Sequence, residues 1–184
     1  MVKALPKKYT GLLIIIAVVA LTSVTFAFVG PWKRASDKER KLAAEAASYK
    51  GRLLPDAPLV ELKTGDDYSE KVKDSDVLLV YLMAGCEACE KELQTIAENG
   101  TAINPDVKIY GVMFQDQETS SRYVQKYNIN FPVLLDKDGK LRRALGVKYF
   151  PTNFKLDDGT IKEAWLGFPS AKEEFLQMVN LRRS

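Results

Sequence analysis

Both cysteines of this 184-residue chain lie in one four-residue stretch, Cys86-Glu87-Ala88-Cys89. Two thiols three positions apart can close into a disulfide within one helical turn. The loop so closed is too short to restrict an unfolded chain much, so a structural staple explains the pair poorly. A structural zinc site normally takes four cysteine or histidine ligands, whereas the chain has no histidine and no third cysteine. Thiol–disulfide exchange is the chemistry that this spacing fits best. It runs on sulfur alone, so the expected requirement is the redox-active pair itself, with no metal and no organic cofactor.

Exchange needs the two sulfurs in different settings, and the flanking residues supply them. Residues 77–84, Val-Leu-Leu-Val-Tyr-Leu-Met-Ala, form a continuous apolar run of strand length, as expected of a central strand covered on both faces. Ala84-Gly85 then turns the chain into a helix at Cys86. The helix dipole and the unpaired N–H groups there favour a thiolate, so Cys86 is the expected exposed nucleophile. Cys89, one turn in, is expected to be more buried and to resolve a mixed disulfide by attacking Cys86. Glu87 sets a carboxylate beside the nucleophile, which opposes the thiolate and biases the pair toward a reductant. The plainer reading of Glu87 is a good first-turn helix residue pointing at water.

Phe150-Pro151-Thr152 is the second site element. A proline at the start of a strand removes a ladder donor and can carry a cis bond, leaving the backbone before it free to pair with an extended peptide. Phe131-Pro132 has the same form. Pro151 is followed by a hairpin expected at the sheet edge nearest the cysteine helix, so Pro151 is the expected substrate-binding residue.

The elements that must position these groups follow one another in an α/β order. Residues 90–99 place Leu93, Ile96 and Ala97 at helical spacing, 107–114 read as a second buried strand, and 118–127 as a second helix. Residues 132–135 form a short strand ended by Asp136-Lys137-Asp138-Gly139. Residues 152–156 and 161–166 flank Asp157-Asp158-Gly159-Thr160, a hairpin signal, and 170–181 read as a closing helix. Parallel and antiparallel halves combine in such an order, giving a central mixed sheet flanked by helices.

Ahead of this domain, residues 11–29 are apolar, with no charge between Lys8 and Lys33. As a helix the segment is about 28 Å long, enough to cross a hydrocarbon core. Lys3, Lys7 and Lys8 with Thr25-Phe26-Ala27 would also fit a cleavable signal peptide, but the run exceeds the usual core of roughly 7 to 15 residues. The expected layout is a basic tail (1–10), a single transmembrane signal anchor (11–30), a helical stalk and linker (31–54) and the globular domain (55–184). Basic residues flank both sides of the span, and counted literally they favour a cytoplasmic domain. A chain that begins so close to its first apolar segment is ordinarily handled as a signal, which places the domain outside the cytoplasm. Residues 1–50 hold nine Lys or Arg against three Asp or Glu, so the net charge of +3 is a juxtamembrane effect. The remainder is mildly acidic, which argues against nucleic acid as a partner and fits basic residues near lipid headgroups.

Over roughly residues 55–181 the chain resembles the thioredoxin superfamily, and within it the membrane-anchored TlpA/ResA-like thiol-disulfide oxidoreductases. The resemblance rests on the strand leading into Cys86-Glu87-Ala88-Cys89, on Glu92 three residues after the second cysteine, and on the stretch from Tyr127 to Asp136. It continues through Gly146-Val147, Phe150-Pro151-Thr152, Asp158-Gly159 and Gly167. It implies a thioredoxin-like fold, with Cys86 attacking, Cys89 resolving, Pro151 as the cis-proline, and Glu87, Glu92 and Phe150 modulating. It also implies an extracytoplasmic domain that exchanges with protein thiols and disulfides and is served by an upstream electron-donor protein. Cysteine-containing apocytochrome c is one substrate class that the family suggests. Gly85 replaces the usual tryptophan, Gln94 a frequent proline, and Val80 the buried aspartate of thioredoxins. A peroxiredoxin-like peroxidase is the enzymatic alternative, although Met83 stands where those proteins carry threonine. A binding or assembly module with little redox activity is the other.

Overall fold

A computed structural model describes residues 37–99 and 104–168. The expected tail (1–10), membrane anchor (11–30) and closing helix (170–181) lie outside the described residues, among which no helix is long and apolar enough to cross a membrane. The chain divides after Leu42 into two compact units. Residues 37–47 are helical (α1), and before the division Arg40 pairs with Asp37.

The second unit is built on one six-stranded mixed sheet. In chain order its strands are β1 (Leu59–Glu61), β2 (Val77–Tyr81), β3 (Lys108–Met113), β4 (Val133–Asp136), β5 (Thr152–Asp157) and β6 (Thr160–Leu166). They lie side by side as β1-β4-β3-β2-β5-β6. β2, β3 and β4 run parallel, while β1, β5 and β6 pair antiparallel with their neighbours. All five residues of β2 are buried, as befits a central strand with both faces covered.

Alternation along β2 divides the interior in two. Leu78 and Val80, with Leu82 just beyond the strand, pack with α2 (Glu87–Glu98) and α3 (Gln117–Lys126) through Cys89, Leu93, Ile96, Tyr123 and Val124. Val77, Leu79 and Tyr81 pack on the opposite face with Phe154, Leu141 and Leu145, the last two from the short helix α4 (Lys140–Leu145).

Three features depart from the sequence expectation. Tyr49 and Leu54, placed in a linker by sequence, are buried in the second core. Gly51 N–H bonds the Ile161 carbonyl, Ile161 N–H the Arg52 carbonyl, and Leu54 N–H the Gly159 carbonyl. Residues 51–54 thus pair along the start of β6, and the compact unit begins at Ala43 rather than at residue 55. Strand β1 contributes only three residues, too few for a periodic signal. Helix α4 follows the stretch read as a stop, because Asp136 accepts the backbone N–H groups of Leu141 and Arg142 at 2.9 Å each and so starts a new helix. The hairpin matches its signal: Asp158 and Gly159 both take positive φ, 49° and 68°, as a two-residue type I′ turn demands.

Candidate active site

β2 delivers the chain to the surface through Met83 and Ala84. Gln115 clamps this exit, its Oε1 accepting from Ala84 N–H at 3.3 Å and its Nε2 donating to the Ala84 carbonyl at 3.5 Å. Gly85 then turns with φ +80°, a region disfavoured for residues with a Cβ. The tryptophan usual at this position would therefore be strained on this backbone, which accounts physically for glycine.

Cys86 is the N-cap of α2, and its sulfur accepts the backbone N–H of Cys89 at 3.3 Å. An N–H donor of the first helical turn thus already points at the atom that carries negative charge during exchange. Cys86 is part-exposed and Cys89 fully buried, both as free thiols. Cys89 Sγ donates to Cys86 Sγ at 2.6 Å. Burial, the contact with Cys86 and the carboxyl of Glu92 together push the Cys89 thiol well above its ordinary range.

Across from the pair, the Phe150–Pro151 peptide bond is cis. The Phe150 carbonyl accepts from Cys86 Sγ at 3.6 Å. Thr152 Oγ1 donates to the Tyr149 carbonyl at 2.7 Å, and Gly167 N–H to the Pro151 carbonyl at 2.7 Å, fixing the loop on both sides. Phe150 stacks at 5.4 Å on Phe114, over which the Arg142 guanidinium lies at 4.6 Å.

The structure therefore brings Cys86, Cys89, Phe150 and Pro151 together. Glu87 stands in solvent with its carboxylate 2.7 Å from Lys91 Nζ; that hydrogen bond and charge hold it below the usual carboxylate range. Water and the lysine screen it, as in the plainer of its two sequence readings. Glu92 is the reverse case. It is wholly buried on the α2 face beside Cys89, with no hydrogen-bond partner for either carboxyl oxygen, and burial raises its pKa to about 8.

Two residues near the pair escaped sequence reasoning. Gln115 sits just past β3 and gives no local signal. Asn153 is fully buried on β5, directly across from Val80, and its amide atoms also lack hydrogen-bond partners. A polar amide inside an otherwise strand-like run, where asparagine is depleted, was the available clue. Among the described residues no three His, Cys, Asp or Glu side chains form a metal-ligand set.

Comparison with known proteins adds to this geometry. Residues 53–164 match the model of the AhpC/TSA family. The thiol-disulfide oxidoreductase ResA of Bacillus thuringiensis subsp. konkukian is 28% identical over 138 residues, covering 70% of this chain and 78% of that one. The sporulation thiol-disulfide oxidoreductase A of Bacillus subtilis is 26% identical over 136 residues, covering 71% and 82%. The crystal structure of StoA from Bacillus subtilis superposes with a TM-score of 0.55 at 25% identity, covering 67% of this chain and 98% of that one.

Proposed function

The chain belongs to the AhpC/TSA family and is a thioredoxin-fold thiol–disulfide oxidoreductase of the ResA and StoA type, and we propose that it reduces disulfides in extracytoplasmic proteins from a membrane-anchored position. The observation that carries this reading is the sulfur pair at the N-terminus of α2, facing the Phe150 carbonyl.

In the proposed cycle an extended client segment pairs with the backbone before Pro151, which sets its disulfide in line with Cys86. The Cys86 thiolate attacks one client sulfur; a Cys86–client bond forms, the client disulfide breaks, and the departing client thiolate takes a proton from water. Cys89 gives its proton to the Glu92 carboxylate and attacks Cys86 Sγ. The Cys86–Cys89 disulfide forms as the mixed disulfide breaks, and the second client sulfur leaves as a thiolate that takes a proton from water. Two electrons pass from the pair to the client, and an upstream dithiol protein restores them.

The environment of Cys89 supports the reducing direction more than Glu87 does. A thiolate at Cys89 is disfavoured by burial and by the neighbouring carboxyl, which destabilises the dithiolate relative to the disulfide and makes the pair a stronger electron donor. The apolar run of residues 11–29 supports the anchor, and the resemblance to ResA-type proteins supports an extracytoplasmic domain and cytochrome c maturation as one setting.

Cys89→Ser in the full chain tests the reading. Client proteins should accumulate as mixed disulfides through Cys86, resolved by added dithiol on a denaturing gel. No trapped client, or turnover of hydrogen peroxide with sulfenic acid at Cys86, overturns it.

A further inference from the structure

Asn153 is a costly residue where it stands. A buried amide without partners gives up its hydration with nothing in return, and asparagine is a poor strand former. Nor does its place in the sheet leave it far from the chemistry. Antiparallel partners point to the same face, so Asn153 shares the face of Val80, whose strand neighbours Leu78 and Leu82 pack with Cys89 and Leu93 of α2. That is the face on which Glu92 is buried. The Asn153 amide lies close enough to draw the Glu92 pKa down, against the larger upward effect of burial. No well-formed hydrogen bond closes between them in the dithiol state, since the polar atoms of both side chains lack partners.

An amide has a property that suits such a neighbour. Its NH₂ donates to an ionised carboxylate, and its carbonyl oxygen accepts from a protonated carboxyl, so rotation about one bond serves either state. A hydrophobic residue serves neither, and an acid would add a second charge. Of the other groups around the site, Tyr123 on α3 and Tyr127 at its C-terminal cap hold buried hydroxyls without partners. Burial raises the Tyr123 phenol, keeping it a neutral neighbour. Cys89 is the acid that faces Glu92 from α2, and Val80 on β2 brings no polar group. Asn153 is therefore the side chain whose hydrogen bonding can follow the charge of Glu92.

We infer that Asn153 is a positioning residue for proton transfer from Cys89, its amide turning to pair with Glu92 in whichever protonation state the exchange cycle creates. The inference rests on the exchange reading above. In the aspartate-bearing arrangement of thioredoxins the polar group sits on the strand that leads to the cysteines; here Val80 leaves that place apolar, and the amide enters from the neighbouring strand.

The two steps of exchange separate in a stopped-flow reaction of the reduced full chain with dithiobis-nitrobenzoate. Attack by Cys86 releases one thionitrobenzoate, and resolution by Cys89 releases the second. In the wild type the second phase should accelerate with pH through a midpoint near the Glu92 value of about 8. Asn153→Leu should move that midpoint up by about one pH unit, slowing the second phase roughly tenfold at neutral pH and sparing the first. Asn153→Thr, which keeps one hydroxyl, should give a smaller shift and serves if the leucine variant fails to fold. In a Glu92→Gln background, Asn153→Leu should change nothing further in the pH profile. An unmoved midpoint, an equal slowing of both phases, or an Asn153 effect that persists without Glu92 overturns the inference. Absence of any second release from the wild type would instead overturn the exchange reading itself.

Discussion

Two buried carboxyl groups stand on opposite faces of the same sheet, and their surroundings could hardly differ more. Asp136, at the end of β4, accepts the Tyr81 hydroxyl and the backbone N–H groups of Leu141 and Arg142. Glu92, on α2, has neither oxygen satisfied. Both are essentially without solvent exposure. A buried carboxyl with a full set of donors is a structural joint, and here it ties β2, β4 and α4 together. One left unsatisfied costs stability and holds a strongly perturbed pKa, the setting in which side chains take up and release protons. The same contrast separates the two interiors: the Asp136 face is a packed foundation, while the Glu92 face carries the redox pair.

The sharpest way to break this comparison is to remove each carboxyl in turn. Asp136→Ala strands a tyrosine hydroxyl and two helix N–H groups, and should cost about 3–5 kcal/mol of unfolding free energy with the midpoint of urea unfolding falling accordingly. A loss under about 1 kcal/mol would show that Asp136 is no joint.

Glu92→Gln should instead act through pH. The folded carboxyl keeps its proton up to about pH 8, against an ordinary value of 4.5. The folded state thus binds more protons than the unfolded chain between those values. Stability linked to Glu92 is fully present below about pH 4.5, declines as pH rises, and is gone above about pH 8, at most about 1.4 kcal/mol for each pH unit of separation. Urea titrations across this window should show the decline in the wild type and its loss in Glu92→Gln. An identical slope in both proteins would mean that Glu92 is already ionised at low pH.

Tyr81→Phe is the gentlest of the three. It deletes one donor to Asp136 and leaves the two backbone donors in place, so a loss of about 1–2 kcal/mol is expected, well below that of Asp136→Ala. A loss as large as that of Asp136→Ala would show that the backbone donors contribute nothing to the joint.

What the sequence reveals divides along the same line. Cysteine spacing, the apolar run of β2 and the Asp158-Gly159 turn are local signals, and each led to the matching element. Asp136 read as part of a stop because its role depends on Leu141 and Arg142 folding back onto it. Helix α4, at six residues, is too short to show a period. Glu92 falls three residues after Cys89 on the apolar stripe completed by Leu93 and Ile96, yet a glutamate in a helix ordinarily reads as solvated. Its burial depends on β5 lying beneath it. Asn153 needed still more: only the pairing of Asn153 with Val80 shows that the two share a face, and strand register is a property of the assembled sheet.

Gly85 has one further consequence. An added Cβ there would meet nothing within 4 Å, so the flank of Cys86 that a tryptophan would wall off is open ground. Bulk approaching the sulfur from that side meets no side chain of the preceding residue, whereas on the opposite side the Phe150 carbonyl stands 3.6 Å away. The nucleophile is thereby walled on one flank and open on the other.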